Sequence, residues 1–374
     1  MTPTMKAAIL EEGADSVKIE EVPRPKPGRG EVLLKVAGCG ICRSDLSVVR
    51  GHIPVRRPCV PGHEVSGVVA EHGPGVHDAA PAVGDMVTSA FVLPCSTCVE
   101  CAAGRDDLCR RFFAENRALG VLYDGTSRLR RADGTALWMF SMSGMAEYAV
   151  IPASSVFTLP PALPLVESAV VGCAMFTAYG AVRRTADLRV GETVAVVAAG
   201  GVGSNIVQLA RAFGASRVIA VDVGDDKLAA ARRLGATDVV NSREVGAEAA
   251  VRDLTGGLGV DVAFEALGHP ATFTEAISLV RDGGRMVSVG LSTESAQVPI
   301  NRVVRSRVAV LGSYGARTRT DMPALLRLLG SGAVRSHDVV TRRVALEDLN
   351  DSLDALEQGQ IVGRAVVDLS DDGS

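Results

Sequence analysis

From about residue 190 onward, short apolar runs alternate with helical stretches. The segment "ETVAVVAAGGVGSNIVQLARAFGASRVIAVDVGDDKLAAARRLGATDVV" predicts strand, glycine turn, helix, strand, helix and strand, and "VDVAFEALG" and "GRMVSVG" continue the pattern. Strands that alternate with helices in this way are typical of a parallel sheet with helices on both faces. The sequence therefore predicts an α/β protein whose middle part is a doubly wound parallel sheet.

The turn after the first of these strands carries Gly200, Gly201 and Gly203, with Ala198 where a dinucleotide-binding motif has its first glycine. Such a turn directs backbone N–H groups and a helix N-terminus at a pyrophosphate, but an ordinary tight turn fits the motif equally well. Asp222, at the predicted end of the second strand and 19 residues after Gly203, favours the nucleotide site. A carboxylate there accepts hydrogen bonds from the adenosine ribose and repels a 2′-phosphate, which predicts NAD(H) over NADP(H). The alternative is that Asp222 only ends the strand in a turn.

The whole chain has 374 residues, 47% of them hydrophobic, and a formal charge of −4. A chain of this length predicts two domains. Its charge gives no electrostatic footprint for nucleic acid or an anionic membrane, so we expect neither partner. The opening "MTPTMKAAILEEGADS" lacks a basic start and an apolar core, and no apolar stretch approaches 18 residues. We therefore expect a cytoplasmic protein, in which disulfides are disfavoured.

Half of the eight cysteines lie in "PCSTCVECAAGRDDLC", residues 94–109. Cys95, Cys98, Cys101 and Cys109 have the spacing with which Cys-x-x-Cys turns and one later thiolate close a tetrahedron around zinc. Four thiolates leave no position for a substrate, so this site would hold a loop and do no chemistry. The alternative is a set of free, buried cysteines, which the polar neighbours in the segment disfavour.

A second group of candidate ligands is scattered along the chain. Cys42 lies in "GCGICRSD", His63 and Glu64 lie in "PGHEVSGVVAEHGPGV", and Cys173 lies in "VVGCAMFTAYGA". A Cys, His, Cys set with one open position is a known way to build a catalytic zinc that accepts an alcohol or carbonyl oxygen. Their separation along the chain does not establish that they meet.

These motifs together resemble the zinc-dependent medium-chain alcohol dehydrogenases, over essentially the whole chain. The resemblance rests on residues at the spacing of that family's zinc signature, which are Gly62, His63, Glu64, Gly67, Gly73 and Val76. "GICRSD", the four-cysteine segment and the "GC" before a Phe-Thr-x-Tyr-Gly turn follow in the family's order.

The resemblance implies roles for individual residues near a catalytic zinc. Cys42, His63 and Cys173 would be its ligands, with Glu64 as an alternate ligand. Asp45 would hold the imidazole in one tautomer, and Ser44 would supply the hydroxyl that hydrogen-bonds the substrate oxygen. The cysteines that match no ligand position, Cys39 and Cys59, are interpreted as small apolar residues rather than metal or redox groups.

The resemblance also implies a set of cofactor contacts. It assigns Lys227 to the adenosine ribose and Arg43 and Arg364 to the pyrophosphate, although Arg364 could instead be an exposed charge. The full set of expected NAD contacts is Arg43, Thr177, Gly200, Gly201, Val202, Gly203, Asp222, Lys227 and Arg364.

The resembling fold has a GroES-like β-barrel catalytic domain, expected here over residues 1–174 and 316–374, and a Rossmann NAD-binding domain over 175–315. The stretch 120–140 matches an insertion found in the longer, mostly dimeric branch of the family, so we expect a homodimer, with a tetramer as the alternative.

The implied reaction is the reversible oxidation of a small alcohol to an aldehyde or ketone by hydride transfer to NAD, with the alkoxide stabilised by the catalytic one of two zinc ions per chain. Ser47 stands where the family has the terminal histidine of its proton relay, and the hypothesis is that the relay ends at water or at His52, which could equally be an ordinary loop histidine. Pocket-lining positions fall on Phe91, Ala114, Phe140 and Leu291, each of which could be plain core.

Three rival functions stay open at this stage. One is a glutathione- or mycothiol-dependent formaldehyde dehydrogenase, which arginines at the pocket mouth would favour. The others are a non-catalytic nucleotide-binding protein and a zinc-free quinone reductase, both disfavoured by the intact ligand set.

Overall fold

The computed structural model describes residues 3–370, which divide into two compact units. The first unit runs through Cys173 and takes in Arg317–Gly330 and the chain from Val340 onward, and the second comprises Ala174–Ala316 and Ser331–Val339. The short piece Ser331–Val339 belongs to the second unit, whereas the expected division placed it in the catalytic domain. The physical reason is that Gln208 and Arg335 exchange two hydrogen bonds, of 3.2 and 2.9 Å, inside the second unit.

Strands dominate the first unit and alternate with helices in the second. In chain order the strands are β1 Thr4–Leu10, β2 Val17–Pro23, β3 Glu31–Ile41, β4 Cys59–Val60, β5 Val65–His72, β6 Met86–Ser89, β7 Leu129–Arg130, β8 Ala136–Met139, β9 Tyr148–Pro152, β10 Val156–Thr158, β11 Thr193–Val197, β12 Arg217–Asp222, β13 Asp238–Asn241, β14 Val260–Glu265, β15 Val280–Ser288, β16 Ala309–Gly312, β17 Val340–Val344 and β18 Arg364–Asp368.

The α-helices are α1 Arg43–Val49, α2 Val99–Ala102, α3 Ala174–Tyr179, α4 Gly201–Ala212, α5 Asp225–Arg233, α6 Ala247–Leu254, α7 Pro270–Leu279, α8 Ile300–Val304, α9 Thr318–Gly330 and α10 Leu349–Glu357. Short 3₁₀ helices cover Asp106–Leu108, Ala153–Ser155, Glu167–Gly172, Ser336–Val339 and Leu346–Asp348, and π-helices cover Phe112–Arg117 and Gly180–Thr185. No helix within residues 3–370 is long and apolar enough to cross a membrane.

The first unit is built on two sheets, ordered β2-β1-β4-β8-β7 and β10-β6-β5-β3-β18-β17, with β9 also paired to β3. Its central strand, β3, has the sequence "EVLLKVAGCGI" and is buried at all but one of its positions. Apart from Glu31 and Lys35 the strand is apolar or glycine, which is expected of a strand covered on both faces. β3 runs antiparallel to β5 with Cys39 opposite Val65, so the end of β3 and the start of β5 lie side by side.

The second unit contains the sheet β13-β12-β11-β14-β15-β16, in which every neighbouring pair is parallel. β11 is central, and its Val194, Ala195 and Val196 are fully buried between helices. Burial of both faces explains why β11 and β12 are runs of Val, Ile and Ala without a polar alternation. The prediction of an α/β protein with a barrel-forming domain and a doubly wound domain is confirmed.

Candidate active site and metal centres

The predicted ligands of a catalytic metal converge in the first unit. Cys42 follows β3 and caps α1, His63 and Glu64 precede β5, and Cys173 follows the 3₁₀ helix Glu167–Gly172. The pairing of β3 with β5 brings the first three together. One ligand atom from each of the four residues lies within 4.8 Å of all the others, and all four side chains are buried.

Asp45 fixes the orientation of this cluster. Its Oδ1 accepts hydrogen bonds from Nδ1 of His63 and from the backbone N–H of Gly62, each 3.1 Å long, and its Oδ2 accepts one from the N–H of Cys42, also 3.1 Å long. The carboxylate is fully buried. Because Nδ1 of His63 donates to Asp45, Nε2 carries the free lone pair and is the atom available to a metal.

Glu64 and Arg364 form a buried ion pair beside the ligands, with Oε1 of Glu64 2.9 Å from Nη2 of Arg364. The same Nη2 lies 3.4 Å from Sγ of Cys42. Within residues 3–370, neither carboxylate oxygen of Glu64 takes part in a hydrogen bond of regular geometry. A side chain at position 40 would exclude this carboxylate, since a Cβ on Gly40 would lie 2.1 Å from Oε2.

The alternative that Arg364 is an exposed charge is wrong. It is only 5% exposed, so it is not a surface charge, and it pairs with Glu64. Its contact with a pyrophosphate stays a prediction.

Electrostatics at the cluster favour a bound cation. The hydrogen bond with Cys173 lowers the pKa of the Cys42 thiol well below its usual range, against the effect of burial, and raises that of Cys173, so one proton is shared by two sulfurs. Burial opposes a charge on His63, but the Asp45 carboxylate and Cys42 raise its pKa to about 10. Burial raises the pKa of Glu64 to about 8. A divalent ion would replace these held protons and give the Glu64 carboxylate a partner besides Arg364, so the residues present fit zinc.

The side chains around the cluster include two of the predicted pocket residues. Phe140 and Phe91 contact the His63 ring edge-on, with centroids 5.5 and 6.0 Å away. Ser44 is half-buried, with its Oγ 3.8 Å from Sγ of Cys42. The other two pocket positions, Ala114 and Leu291, are exposed, and Leu291 belongs to the second unit.

The four clustered cysteines also converge. Sγ of Cys95 lies 4.0 Å from Sγ of Cys101, and Sγ of Cys98 lies 3.9 Å from Sγ of Cys109. A tetrahedron with Zn–S bonds of ~2.3 Å has edges of ~3.8 Å, so the spacing suits four thiolates around one zinc. The backbone N–H of Cys95 donates to Sγ of Cys109, and that of Cys98 donates to Sγ of Cys95, each at a distance of 3.3 Å. Hydrogen bonds of this kind favour the thiolate form of a cysteine.

The sequence did not indicate that Arg319 holds the four-cysteine loop in place. Arg319 is in the first turn of α9, and its Nη2 donates to Oδ1 of the buried Asp106 at 2.6 Å. The same nitrogen also donates to the Cys101 carbonyl at 2.6 Å. Arg319 is 213 residues from Asp106, so no local pattern reveals the pair.

The glycine turn lies between β11 and α4, as expected. Ala198 has φ of +72°, a left-handed conformation that costs an alanine about 1 kcal/mol and that the missing glycine would adopt freely. Gly200 caps α4, and Gly201, Val202 and Gly203 form its first turn. A Cβ on Gly203 would lie 2.0 Å from the Ala198 carbonyl oxygen, so this position requires glycine.

Asp222 lies at the end of β12, next to that turn. Its Oδ2 accepts the Ala199 N–H at 2.8 Å, and its Oδ1 accepts those of Val223 and Gly224 at 2.8 and 3.0 Å. The carboxylate therefore ties the glycine turn to the start of α5 and also closes a strand-end turn. Lys227, on α5, lies close to Asp222. A Cβ placed on Gly224 would be 3.6 Å from Cδ of Lys227 and 3.7 Å from Oδ1 of Asp222, so both side chains adjoin the same point.

The remaining predicted residues occupy varied positions. Thr177 is buried on α3, and Arg43 is exposed as the first residue of α1. His52 is exposed just beyond α1, with its backbone N–H bonded to the Ser47 carbonyl at 2.8 Å. Cys39 and Cys59 are fully buried free thiols, and burial raises the pKa of Cys59 to about 12. Neither cysteine belongs to a ligand cluster among the described residues.

Comparison with known proteins agrees with this arrangement. Residues 28–161 match the alcohol dehydrogenase GroES-like domain, and residues 201–331 match the zinc-binding dehydrogenase family. The chain is 35% identical to an alcohol dehydrogenase of Geobacillus stearothermophilus, over 97% of this chain and 99% of that one. It is 32% identical to a probable S-(hydroxymethyl)glutathione dehydrogenase of Schizosaccharomyces pombe, over 99% and 98% of the two chains.

Among solved structures, an alcohol dehydrogenase zinc-binding domain protein from Burkholderia ambifaria superimposes with a TM-score of 0.91 at 33% identity, covering 98% of this chain and 99% of that one. The fold and the site thus define an oxidoreductase with a zinc-binding dehydrogenase architecture. The chain belongs to the zinc-dependent medium-chain alcohol dehydrogenase family, and the predicted family and alcohol dehydrogenase function are confirmed.

Proposed function

We propose that this chain oxidises a small alcohol to an aldehyde or ketone, transferring hydride to NAD⁺ and releasing a proton, with two zinc ions bound per chain. The observation that carries the proposal is the buried set of Cys42, His63 and Cys173, whose imidazole is held by Asp45 so that Nε2 faces the other ligands. Three protein ligands with one open position distinguish a catalytic zinc from the closed four-cysteine site.

When bound, the zinc supplies a Lewis acid that lowers the pKa of the alcohol. Asp45 keeps the His63 ring in one tautomer and one orientation. Phe91 and Phe140 pack against that ring and exclude water from it. The Oγ of Ser44, 3.8 Å from Sγ of Cys42, accepts the proton that the alcohol loses and at the same time gives up its own hydroxyl proton. The proton then passes to water or to His52.

NAD(H) is the proposed cofactor. Asp222 has a fixed carboxylate at the end of β12, with its oxygens oriented by the N–H groups of Ala199, Val223 and Gly224. The carboxylate would accept hydrogen bonds from the ribose hydroxyls and repel a 2′-phosphate. The matching measurement is KM for NAD⁺ and NADP⁺ with one alcohol, and NADP⁺ should be the poorer cofactor.

The experiment that tests the function is a screen for NADH formation across primary, secondary, aromatic and polyol substrates, run beside zinc analysis of the same preparation. We expect turnover of at least one alcohol by zinc-loaded protein, and loss of that turnover in Cys173→Ser. Zinc-loaded protein that reduces NAD⁺ with none of these alcohols would contradict the proposal.

A second candidate is the oxidation of a thiol adduct of formaldehyde. Its support is the similarity to the probable S-(hydroxymethyl)glutathione dehydrogenase of Schizosaccharomyces pombe. NADH formation from formaldehyde that requires added glutathione or mycothiol would favour this candidate over free alcohols.

For the assembly we propose a homodimer formed through the second unit. β16 is an edge strand that carries the exposed Val310, and α8 has no buried residue and exposes 78% of Ile300 and 69% of Val304. Within the described residues one edge of β16 pairs with no strand, and a free strand edge together with exposed apolar side chains is suited to a two-fold pairing of strands. Light scattering of the wild type and of Ile300→Glu tests it, with the variant expected to shift towards monomer.

A further inference from the structure

Glu265 places a fully buried carboxyl group at the last position of β14. Its Oε1 accepts three hydrogen bonds, from the backbone N–H groups of Leu267 and Gly268 at 2.9 and 2.8 Å and from the hydroxyl of Thr272 at 2.8 Å. Its Oε2 takes part in none within residues 3–370. Burying a carboxyl group costs free energy that hydrogen bonds to one oxygen only partly offset, so its placement calls for an explanation.

The order of the strands places Glu265 at the crevice where a dinucleotide would bind. The sheet is ordered β13-β12-β11-β14-β15-β16, so the direction in which the chain adds strands reverses between β11 and β14. Ligands of such sheets bind outside the carboxyl ends of the strands at this reversal. Glu265 is the register partner of Val197, the last residue of β11 before the glycine turn. With the adenosine ribose at Asp222 on β12 and the pyrophosphate at the glycine turn, the nicotinamide end of NAD would extend over β14 and β15.

Glu265 also joins the loop that follows β14 to the loop that follows β15. Its backbone carbonyl accepts the N–H groups of Val289 and Gly290 at 2.8 and 3.2 Å, while its side chain holds the loop after β14. The two loops are in direct contact, since a Cβ on Gly290 would lie 2.0 Å from the nitrogen of Gly268. A Cβ on Gly268 would in turn lie 2.3 Å from the carbonyl oxygen of Leu291. A displacement of one loop therefore displaces the other.

Both loops expose an apolar side chain, although the carboxyl group that holds them is buried. Leu267 is 37% exposed and Leu291 is 57% exposed, whereas Glu265 has no exposed surface. Ligand sites are lined mainly by apolar side chains whose positions are fixed by hydrogen bonds behind them. Two leucines at the carboxyl edge of the sheet can pack against a flat nicotinamide ring as long as their loops keep this arrangement.

We propose that Glu265 is a positioning residue that holds the loops after β14 and β15 in the arrangement that binds the nicotinamide end of NAD. The inference rests on the proposed function, since it assumes the cofactor named there. Glu265 acts through the loops and does not touch the cofactor, because it has no exposed surface. All three hydrogen bonds to its side chain end on Oε1, so one acceptor oxygen is sufficient. Glutamine should therefore replace this glutamate, whereas leucine should not.

The test compares two ligands that share ADP-ribose and differ in the nicotinamide. The Kd values of NADH and of ADP-ribose are measured by calorimetry with the wild type, Glu265→Leu, Glu265→Gln and Glu265→Asp. The aspartate variant keeps a carboxyl group but shortens the side chain, so it serves as the test if Glu265→Leu does not fold. The matched control is Asp261→Leu, near the other end of β14, since Oδ2 of Asp261 accepts the N–H and the hydroxyl of Thr193 at 2.7 and 2.8 Å.

We expect Glu265→Leu to raise the Kd for NADH about tenfold and to leave the Kd for ADP-ribose within about twofold, because the loops are released at the nicotinamide end alone. Glu265→Asp should have the same selective effect, about threefold in size, and Glu265→Gln should leave both Kd values within about twofold. Asp261→Leu should lower the Tm and leave the ratio of the two Kd values unchanged. Equal weakening of both ligands in Glu265→Leu or Glu265→Asp, or no weakening of either, would overturn the proposal, as would a Glu265→Gln variant that binds like Glu265→Leu.

Binding without turnover separates this inference from the function on which it rests. If the ratio of the two Kd values shifts in Glu265→Leu while the wild type oxidises no alcohol, the role of Glu265 stands and the proposed function fails. If the wild type oxidises alcohols but the ratio does not shift in any Glu265 variant, the inference fails alone.

Discussion

Asp45 and His63 are joined by a hydrogen bond of 3.1 Å between two buried side chains, one on the first turn of α1 and the other just before β5. The bond connects the residues that follow one strand to the residues that precede its antiparallel neighbour. It leaves a single ring nitrogen of His63 for a metal, so the tautomer on which the proposed chemistry depends is fixed by the fold.

Asp45→Asn should weaken zinc binding at this site by about 10- to 100-fold, because the amide cannot accept from both Cys42 and His63 and no longer stabilises a charged ligand set. Alcohol oxidation should fall in parallel. Zinc affinity measured by competition with a chelator checks the prediction, with Asp351→Asn, exposed on α10, as the control. Unchanged affinity in Asp45→Asn would show that the hydrogen bond is not needed to orient the ligand.

Cys101→Ser should reduce the zinc content of the purified protein from two ions to one per chain and lower its Tm, since Cys101 contributes one of four converging sulfurs. The remaining zinc should stay at Cys42, His63 and Cys173. The matched control is Cys59→Ala, which removes a buried thiol outside the ligand clusters and should retain both ions. Two ions in Cys101→Ser, counted by plasma mass spectrometry, would count against a four-thiolate site.

Gly203→Ala and Ala198→Gly test the nucleotide turn from opposite directions. The added methyl group in Gly203→Ala would lie 2.0 Å from a backbone oxygen, so the turn must shift and the Kd for NADH should rise at least tenfold. Ala198→Gly relieves a left-handed alanine and should leave the Kd within about threefold. Fluorescence titration with NADH gives both values, and equal binding by Gly203→Ala would remove this turn from the cofactor site.

Glu192 and Arg285 provide a pH-dependent stabilisation of the second unit. Their carboxylate and guanidinium meet at 2.6 and 2.9 Å, with 16% and 19% of each side chain exposed. Burial raises the pKa of Glu192, but the hydrogen bonds from Arg285 outweigh it and hold the pKa below its usual range. A carboxyl with a depressed folded-state pKa stabilises the protein above its unfolded pKa, and this contribution is lost as pH falls through the folded value.

Glu192→Gln should therefore lower the free energy of unfolding by about 1 to 2 kcal/mol at pH 7 and by progressively less below about pH 4. Thermal unfolding across this pH range measures the difference from the wild type. Glu248→Gln, which breaks an exposed pair with Arg252, is the control and should change stability by less than about 0.5 kcal/mol. If the loss of stability in Glu192→Gln stays constant down to pH 3, the carboxylate charge is not its source.

Some of this architecture could be predicted from residue spacing alone. The Cys95 to Cys109 cluster is local, so its spacing is sufficient to place four sulfurs around one ion. The glycine turn and Asp222 follow from the strand and helix alternation, which also predicted the parallel sheet. Such features need only the geometry of neighbouring segments.

Other features depend on long-range pairing that no local pattern encodes. Cys42 and His63 meet because β3 and β5 pair with Cys39 opposite Val65, and a shift of one residue would turn the side chains to opposite faces. Arg364 reaches Glu64 from the far end of the chain, whereas the family resemblance assigned it only to a pyrophosphate contact.

The proposed function requires that Cys42, His63 and Cys173 hold a catalytic zinc with one open position. The most direct measurement is anomalous diffraction at the zinc absorption edge from crystals of the zinc-loaded protein. We expect two peaks per chain, one among the four clustered cysteines and one bonded to Sγ of Cys42, Nε2 of His63 and Sγ of Cys173. A peak at the four cysteines alone, with none at the second set, would contradict it.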